Sequence, residues 1–260
     1  MSSDIYDHPA LFDALFPVGA HLPYYVELAR QTSGDVLELA CGTGQLTVPI
    51  ATAGFPTVGL DLSAHMLTTA RERAATANVS VEYVLADMRN FDLGRRFALI
   101  FIARNSLLHL HSTEDLLAAF AAVRRHMAPG GIFAFDVFNP NVRLLARLPG
   151  QRFPVFQVET ESFGKLSVEE STDYDHATQV GRGRWYISAP ANPDAWVLTL
   201  ELRNIFPQEL PLLLAAGGFH LISRTGRPIR NAVQFHQPLP SMPLSDNNVS
   251  AFEEVIIAAT

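Results

Sequence analysis

The sequence has a single cysteine, Cys41, which rules out an internal disulfide and any metal site built on cysteines. Basic runs are also missing, and the formal net charge is −7. Phosphate backbones are held by clustered Lys and Arg, so nucleic acid is not expected as a partner. Long apolar runs are lacking too: stretches such as Phe97 to Ala103 have strand length, far below a membrane span. The start, Met1-Ser-Ser-Asp-Ile-Tyr-Asp-His-Pro, lacks the basic and apolar segments of a secretory signal. These absences lead to the expectation of a cytoplasmic protein with no membrane partner and no metal. What is present is ample core material, with 48% hydrophobic and 17% charged residues over 260 positions.

The first half alternates short apolar runs with helical segments. Val36 to Ala40, Thr57 to Leu60, Val81 to Ala86, Phe97 to Ala103 and Gly131 to Phe138 read as buried strands. Gln45 to Ala53, Ala64 to Ala77 and Thr113 to Met127 read as helices between them, with Ser63 as an N-cap and Pro129-Gly130-Gly131 as a stop. Repeated βα units predict an α/β fold with a doubly wound, mainly parallel sheet, Rossmann-like and seven-stranded. From about Gln151 the pattern changes to longer alternating runs, Phe153 to Thr160, Lys165 to Asp173, Gln179 to Ser188 and Trp196 to Phe206. These predict an antiparallel β insertion over 151–205, before the last helix and strands. Residues 1–150 and 205–260 then form the core, with 1–30 as a helical lid. Pro228 to Val249 is loop-rich, and no internal repeat is found.

The segment Val36-Leu-Glu-Leu-Ala-Cys-Gly-Thr-Gly places a Gly42-x-Gly44 turn between a strand and a helix. Glycine there lets a ligand approach the backbone. A dinucleotide fingerprint wants a further glycine where this chain has Thr47. Glu38, at the mouth of the turn, repels a pyrophosphate and suits an ammonium group. Asp61 ends the next apolar run, about where doubly wound folds keep a ribose-binding carboxylate. Asp87 follows the run Val81-Glu-Tyr-Val-Leu-Ala. Three strand ends therefore present a carboxylate to one sheet edge, where this architecture binds ligands.

Leu37-Glu-Leu-Ala-Cys-Gly-Thr-Gly, Gly59-Leu-Asp-Leu-Ser-Ala-His-Met-Leu, Leu85-Ala-Asp-Met, Pro129-Gly-Gly-Ile-Phe and Ala216-Gly-Gly-Phe together resemble the class I methyltransferases that use S-adenosylmethionine. The resemblance covers about residues 20–140 and 205–260. It implies that Glu38, Ala40, Gly42 and Gly44 hold the methionine part of that cofactor and Asp61 its ribose. Leu62 and Met66 would flank the adenine, Asp87 and the backbone of Met88 would meet its edge, and Arg104 would contact the methionine end through its backbone, with a structural ion pair as the alternative for its side chain.

Methyl transfer is an in-line displacement at a carbon already activated by a sulfonium, so no protein nucleophile is required. The stretch Ala103-Arg-Asn-Ser-Leu-Leu-His-Leu is similar to the Asn-Ser-x-x-His-Leu segment of glycine/sarcosine and amino-sugar N-methyltransferases. That likeness puts Asn105 on the acceptor. Those glycine enzymes carry an arginine where this chain has Phe138, so an apolar or aromatic-walled pocket fits better than a free glycine site. His109 is the candidate base, its ordinary pKa being near neutrality. The competing reading leaves His109 and His111 as helix-edge residues without chemistry.

Tyr6, Tyr24 and Tyr25 are candidates for the lid, and Arg182, Arg184, Trp185, Tyr186, Trp196 and Arg203 for the insertion's contacts. The insertion reads either as acceptor cover or as the interface of a homodimer. The expected function is methyl transfer from S-adenosylmethionine to a small molecule, with nitrogen favoured over oxygen. The alternatives are an NAD-dependent oxidoreductase and a non-catalytic S-adenosylmethionine-binding protein.

Overall fold

The computed structural model describes residues 3–228, except 20 and 191, and residues 252–259. From the amino terminus come strand β1 (Ser3–Asp4), a 3-10 turn (Ile5–Asp7) and helices α1 (Pro9–Leu15) and α2 (His21–Thr32). Next are β2 (Val36–Leu39), α3 (Thr47–Thr52), β3 (Thr57–Asp61), α4 (Ala64–Thr76), β4 (Glu82–Leu85) and β5 (Phe97–Ile102). A second 3-10 turn (Ser106–His109) leads to α5 (Thr113–His126), β6 (Met127–Phe138) and the short α6 (Val142–Leu145). Strands β7 (Phe153–Thr160), β8 (Gly164–Asp175), β9 (Val180–Ala189) and β10 (Asn192–Arg203) follow. The chain closes with α7 (Leu210–Ala216), β11 (His220–Pro228) and β12 (Phe252–Ala259).

The main sheet has the order β11-β12-β6-β5-β2-β3-β4. Five of its strands, β4, β3, β2, β5 and β6, pair in parallel, and β12 runs antiparallel to β6 and to β11. Alternation along each strand sends side chains to two cores. Leu37, Leu39, Ile100, Ile102, Phe133 and Phe135 pack with Leu116, Phe120 and Val123 of α5 and with Leu214 of α7. Val36, Leu99, Phe101 and Ala134 turn the other way, onto Tyr25, Leu28 and Ala29 of α2 and Ile50 of α3. Each such buried side chain contributes about 1.5–3 kcal/mol of transfer free energy, so helices on both faces are what this sequence favours. Ser63 caps α4, its hydroxyl accepting the Met66 N–H at 3.3 Å.

The second sheet, of order β1-β10-β9-β8-β7, is antiparallel except at its β1 edge. There Ser3 and Asp4 lie parallel to Leu198 and Thr199, tying the amino terminus to the insertion. Its inner face buries Leu166, Val168, Ile187 and Leu198 against Ile5, Leu11 and Leu15 of the amino-terminal segment. Helix α5 ends at His126, as expected just ahead of Pro129-Gly130-Gly131, but the next strand begins at Met127 and not at Gly131, with that segment an excursion inside β6: Met127 pairs with Phe97, and Ile132 pairs with Leu99. Pro129 has no N–H to give the ladder and Gly130 takes φ +74°, so the strand bulges without ending. The expected loop over 229–249 lies outside the described residues.

Candidate active site

A cavity of about 880 Å³ opens at the carboxyl ends of β2, β3, β4 and β5. Two of its corners are made by residues other than glycine in the left-handed region. Ala40 after β2 has φ +56°, and Arg104 and Asn105 after β5 have φ +60° and +64°. Such backbone costs of order 1–3 kcal/mol per residue, and it concentrates where a site over-determines it. The second corner is held from beneath by Asp136, which is fully buried at the end of β6. Its Oδ2 accepts the Asn105 N–H at 3.1 Å, and its Oδ1 accepts the Tyr25 hydroxyl at 2.6 Å.

Glu38, Ala40, Gly42, Asp61, Leu62 and Asp87 all line the cavity, as do Met88, Arg104, Asn105 and His109. Gly44 and Met66 do not. At Gly44, with φ +75°, an added Cβ would stand 2.9 Å from the Tyr83 hydroxyl, so this glycine serves the packing of the turn against β4. Met66 is fully buried in α4 and only its backbone meets the Ser63 cap. Gly42 differs from Gly44: a Cβ there would meet nothing nearer than the Phe12 ring at 4.0 Å.

The three strand-end carboxylates differ in state. Glu38 is buried and accepts from the Thr47 hydroxyl, and burial pushes its carboxyl up to about 8. Asp61 is bound by the loops on either side, its Oδ2 accepting the Gly42 N–H at 2.7 Å and its Oδ1 the Ser63 N–H at 2.8 Å. Burial raises its pKa, opposed by those backbone bonds. Asp87 is held low, chiefly by hydrogen bonds from Arg89, whose guanidinium also reaches Asp115 at 2.9 Å. Arg89 was not singled out from the sequence, because an arginine two residues after an acid reads as surface charge.

The amino-terminal segment supplies the opposite wall. The Tyr6 hydroxyl lies 2.6 Å from His109 Nε2, with the rings edge to face. Burial, with a smaller effect of His111, lowers the His109 pKa to about 4, so the expected near-neutral titration is displaced. The Arg104 guanidinium donates to the Phe16 carbonyl at 2.6 Å and to Gln45 Oε1 at 3.3 Å, over the rings of Phe12 and Phe16. Asp13 of α1 accepts from Thr43 Oγ1 and Gln45 Nε2, each at 2.5 Å, and from Arg73. That latch carried no local signal, since its partners lie 30 to 60 residues away. Of the expected lid tyrosines only Tyr6 reaches the cavity, and Tyr25 serves Asp136 in the core.

Among the named insertion residues Trp185 lines the cavity, joined there by Val155, Phe156, Leu200 and Leu202. Arg182 instead meets Glu201 at 3.3 Å, Tyr186 lies under Arg152 at 3.3 Å, and Arg203 is buried against Thr113. Among the described residues no group of three His, Cys, Asp or Glu is placed to hold a metal ion. Nor, among them, is any helix long and apolar enough to cross a membrane.

Residues 36–131 match the family described as methyltransferase domain. Over 139 residues the chain is 36% identical to dTDP-3-amino-3,4,6-trideoxy-alpha-D-glucopyranose N,N-dimethyltransferase of Streptomyces venezuelae, a match covering 50% of this chain and 56% of that protein. The chain thus spans about half the length of the curated relatives it matches. A solved S-adenosylmethionine-dependent methyltransferase of Clostridium acetobutylicum superposes with a TM-score of 0.70, at 17% identity and 96% coverage of both chains. An S-adenosylmethionine-bound amino pentose methyltransferase of Micromonospora echinaspora superposes with a TM-score of 0.66, at 21% identity, covering 99% of this chain and 98% of that one. Residues 36–131 thus match a methyltransferase domain, and the chain shares the fold of solved S-adenosylmethionine-dependent methyltransferases.

Proposed function

We propose that the protein transfers a methyl group from S-adenosylmethionine to the nitrogen of a small-molecule amine. The observation that carries this reading is the set Glu38, Asp61 and Asp87, brought by three adjacent strand ends to one cavity. These acceptors suit a ligand that is cationic at one end and rich in hydroxyl and amino hydrogens along its length. Gly42 leaves the backbone open on the cavity side, where a side chain would fill the cradle. The residues present therefore fit S-adenosylmethionine.

On this reading Glu38, Ala40 and Gly42 hold the amino-acid end, with Arg104 contributing at the same corner. Asp61 takes the ribose, and Leu62, which is 71% exposed at the rim, lies along the base beside Asp87 and Met88. Bound there, the cofactor supplies a sulfonium-activated methyl carbon open to in-line attack by a neutral nitrogen. Asn105 and the Tyr6–His109 pair orient that nitrogen. His109 is neutral at physiological pH and too weak a base to strip an ammonium, so the amine must arrive already deprotonated. Lid and insertion exclude water from the line of transfer. The N,N-dimethyltransferase relative supports the choice of atom.

The test is to incubate the protein with S-adenosylmethionine and matched amine and alcohol acceptors, reading products by mass spectrometry. N-methyl products are expected, together with loss of transfer but unchanged cofactor affinity in Asn105→Ala. Methylation of the alcohols alone would overturn the choice of nitrogen.

A further inference from the structure

The proposed methyl transfer leaves open what carries the acceptor nitrogen, and the acceptor half of the cavity bears on it. All five insertion residues on its wall are apolar: Val155, Phe156, Trp185, Leu200 and Leu202. Facing them from the lid, Phe16 stacks on Trp185, with ring centroids 5.4 Å apart and planes 29° apart. Phe156 meets the same indole edge to face at 5.8 Å. The indole N–H donates to Glu170 at 2.8 Å, so the polar edge of Trp185 is already satisfied. The wall it joins is apolar, with Phe16, Trp185 and Phe156 in ring contact.

Charge points the same way. Five carboxylates line the cavity, from Asp4, Asp7, Glu38, Asp61 and Asp87. Among the described residues the guanidiniums on the wall are Arg89 and Arg104. Arg89 grips Asp87 and Asp115, and Arg104 is bonded to Phe16 and Gln45. A phosphate or carboxylate on the acceptor would therefore meet carboxylates of its own sign and guanidiniums that are engaged elsewhere. An amine on an apolar ring meets the reverse: apolar and aromatic faces that take its ring body, and no anion of its own to be repelled.

Resting on the methyl-transfer reading, we propose that the acceptor is an amine borne on an uncharged apolar ring body, seated on the Phe16–Trp185 wall, and not a phosphate- or carboxylate-bearing sugar or amino acid. This separates the chain from its amino-sugar relative, whose name carries a nucleoside diphosphate.

The experiment titrates the whole protein, saturated with S-adenosylhomocysteine, with phenethylamine and with thymidine diphosphate. Phenethylamine should bind, about tenfold or more weakly in Trp185→Ala, and near the original affinity in Trp185→Phe, which keeps an aromatic face. S-adenosylhomocysteine affinity, unchanged in both variants, reports that they fold. Thymidine diphosphate binding as tight as phenethylamine, or phenethylamine binding that is absent or indifferent to Trp185→Ala, overturns the inference and leaves methyl transfer standing. Failure of S-adenosylhomocysteine itself to bind the unaltered protein overturns the methyl-transfer reading and this inference with it.

Discussion

The Tyr6 hydroxyl and His109 Nε2 stand 2.6 Å apart, joining the amino-terminal lid to the turn after β5. Burial also holds the tyrosine hydroxyl well above its usual pKa, so it stays protonated and can donate to the neutral imidazole. Native His109 therefore resists protonation down to about pH 4, whereas in the unfolded chain it titrates at its ordinary 6.5. Its contribution to stability is complete above pH 6.5 and is lost as pH falls from 6.5 towards 4, an effect of up to about 3 kcal/mol. Thermal unfolding followed across that window should show a steeper acid decline in the unaltered protein than in His109→Gln. Parallel curves would contradict the assignment.

Glu38 behaves in the opposite sense. Its carboxyl, raised by burial to about 8, is mostly protonated at neutral pH in the free protein. Folding therefore binds a proton there between about pH 4.5 and 8, and this group's contribution weakens as pH rises through that range. A cationic ligand end placed against Glu38 favours the carboxylate and expels the proton. Calorimetry of S-adenosylhomocysteine binding at pH 7, in buffers of different ionisation enthalpy, should show net proton release that disappears in Glu38→Gln. Equal release in both proteins would place the ligand's ammonium elsewhere.

Glycine spacing hid a division of labour between Gly42 and Gly44. Gly44→Ala combines φ +75° with a Cβ 2.9 Å from Tyr83 Oη and 3.2 Å from Ala70 Cβ. It should cost at least about 2 kcal/mol in denaturant unfolding. Gly54→Ala, at φ +97° with nothing within 4 Å, should cost only the strain of its backbone, roughly 1 kcal/mol. Equal losses at the two sites would mean that contact with Tyr83 is not what fixes the turn.

These cases mark what the sequence could and could not disclose. Four of the five parallel strands were legible because buried runs such as Phe97–Ile102 are rich in apolar residues, whereas β4, expected to be buried, lies at the sheet edge with Glu82 and Leu85 exposed; Ser63 was legible as a cap from its place before a helical period. Carboxylates at strand ends were legible for the same reason, since strand ends locate them. Contacts across the chain were not. Tyr25 and Asp136 lie 111 residues apart, and β1 is a two-residue strand with no period to detect. Met66 sits next to the site in sequence, yet helix phase turns it to the core. The His109 pKa was hidden too, because burial sets it and residue type does not.

Asp13 concentrates the lid's hold on the glycine turn in one carboxylate, with Thr43, Gln45 and Arg73 as donors. Asp13→Ala removes all three bonds without touching the cavity wall. Charge-assisted bonds on a partly exposed group of this kind are together worth about 1.4 kcal/mol, or tenfold in rate. Stopped-flow release of S-adenosylhomocysteine should accelerate by about that factor in the variant, with the unfolding temperature lowered by a few degrees. An unchanged release rate would show that the lid is held by its apolar contacts alone.

The central claim is that the cavity at the ends of β2, β3 and β4 seats S-adenosylmethionine, and isothermal titration with S-adenosylhomocysteine tests it most directly. Asp61 is the control, because it joins the Gly42 and Ser63 backbones at the middle of the site. The account predicts binding in the micromolar range or tighter, lost in Asp61→Ala. No binding by the unaltered protein, with a nicotinamide dinucleotide binding in its place, would contradict it.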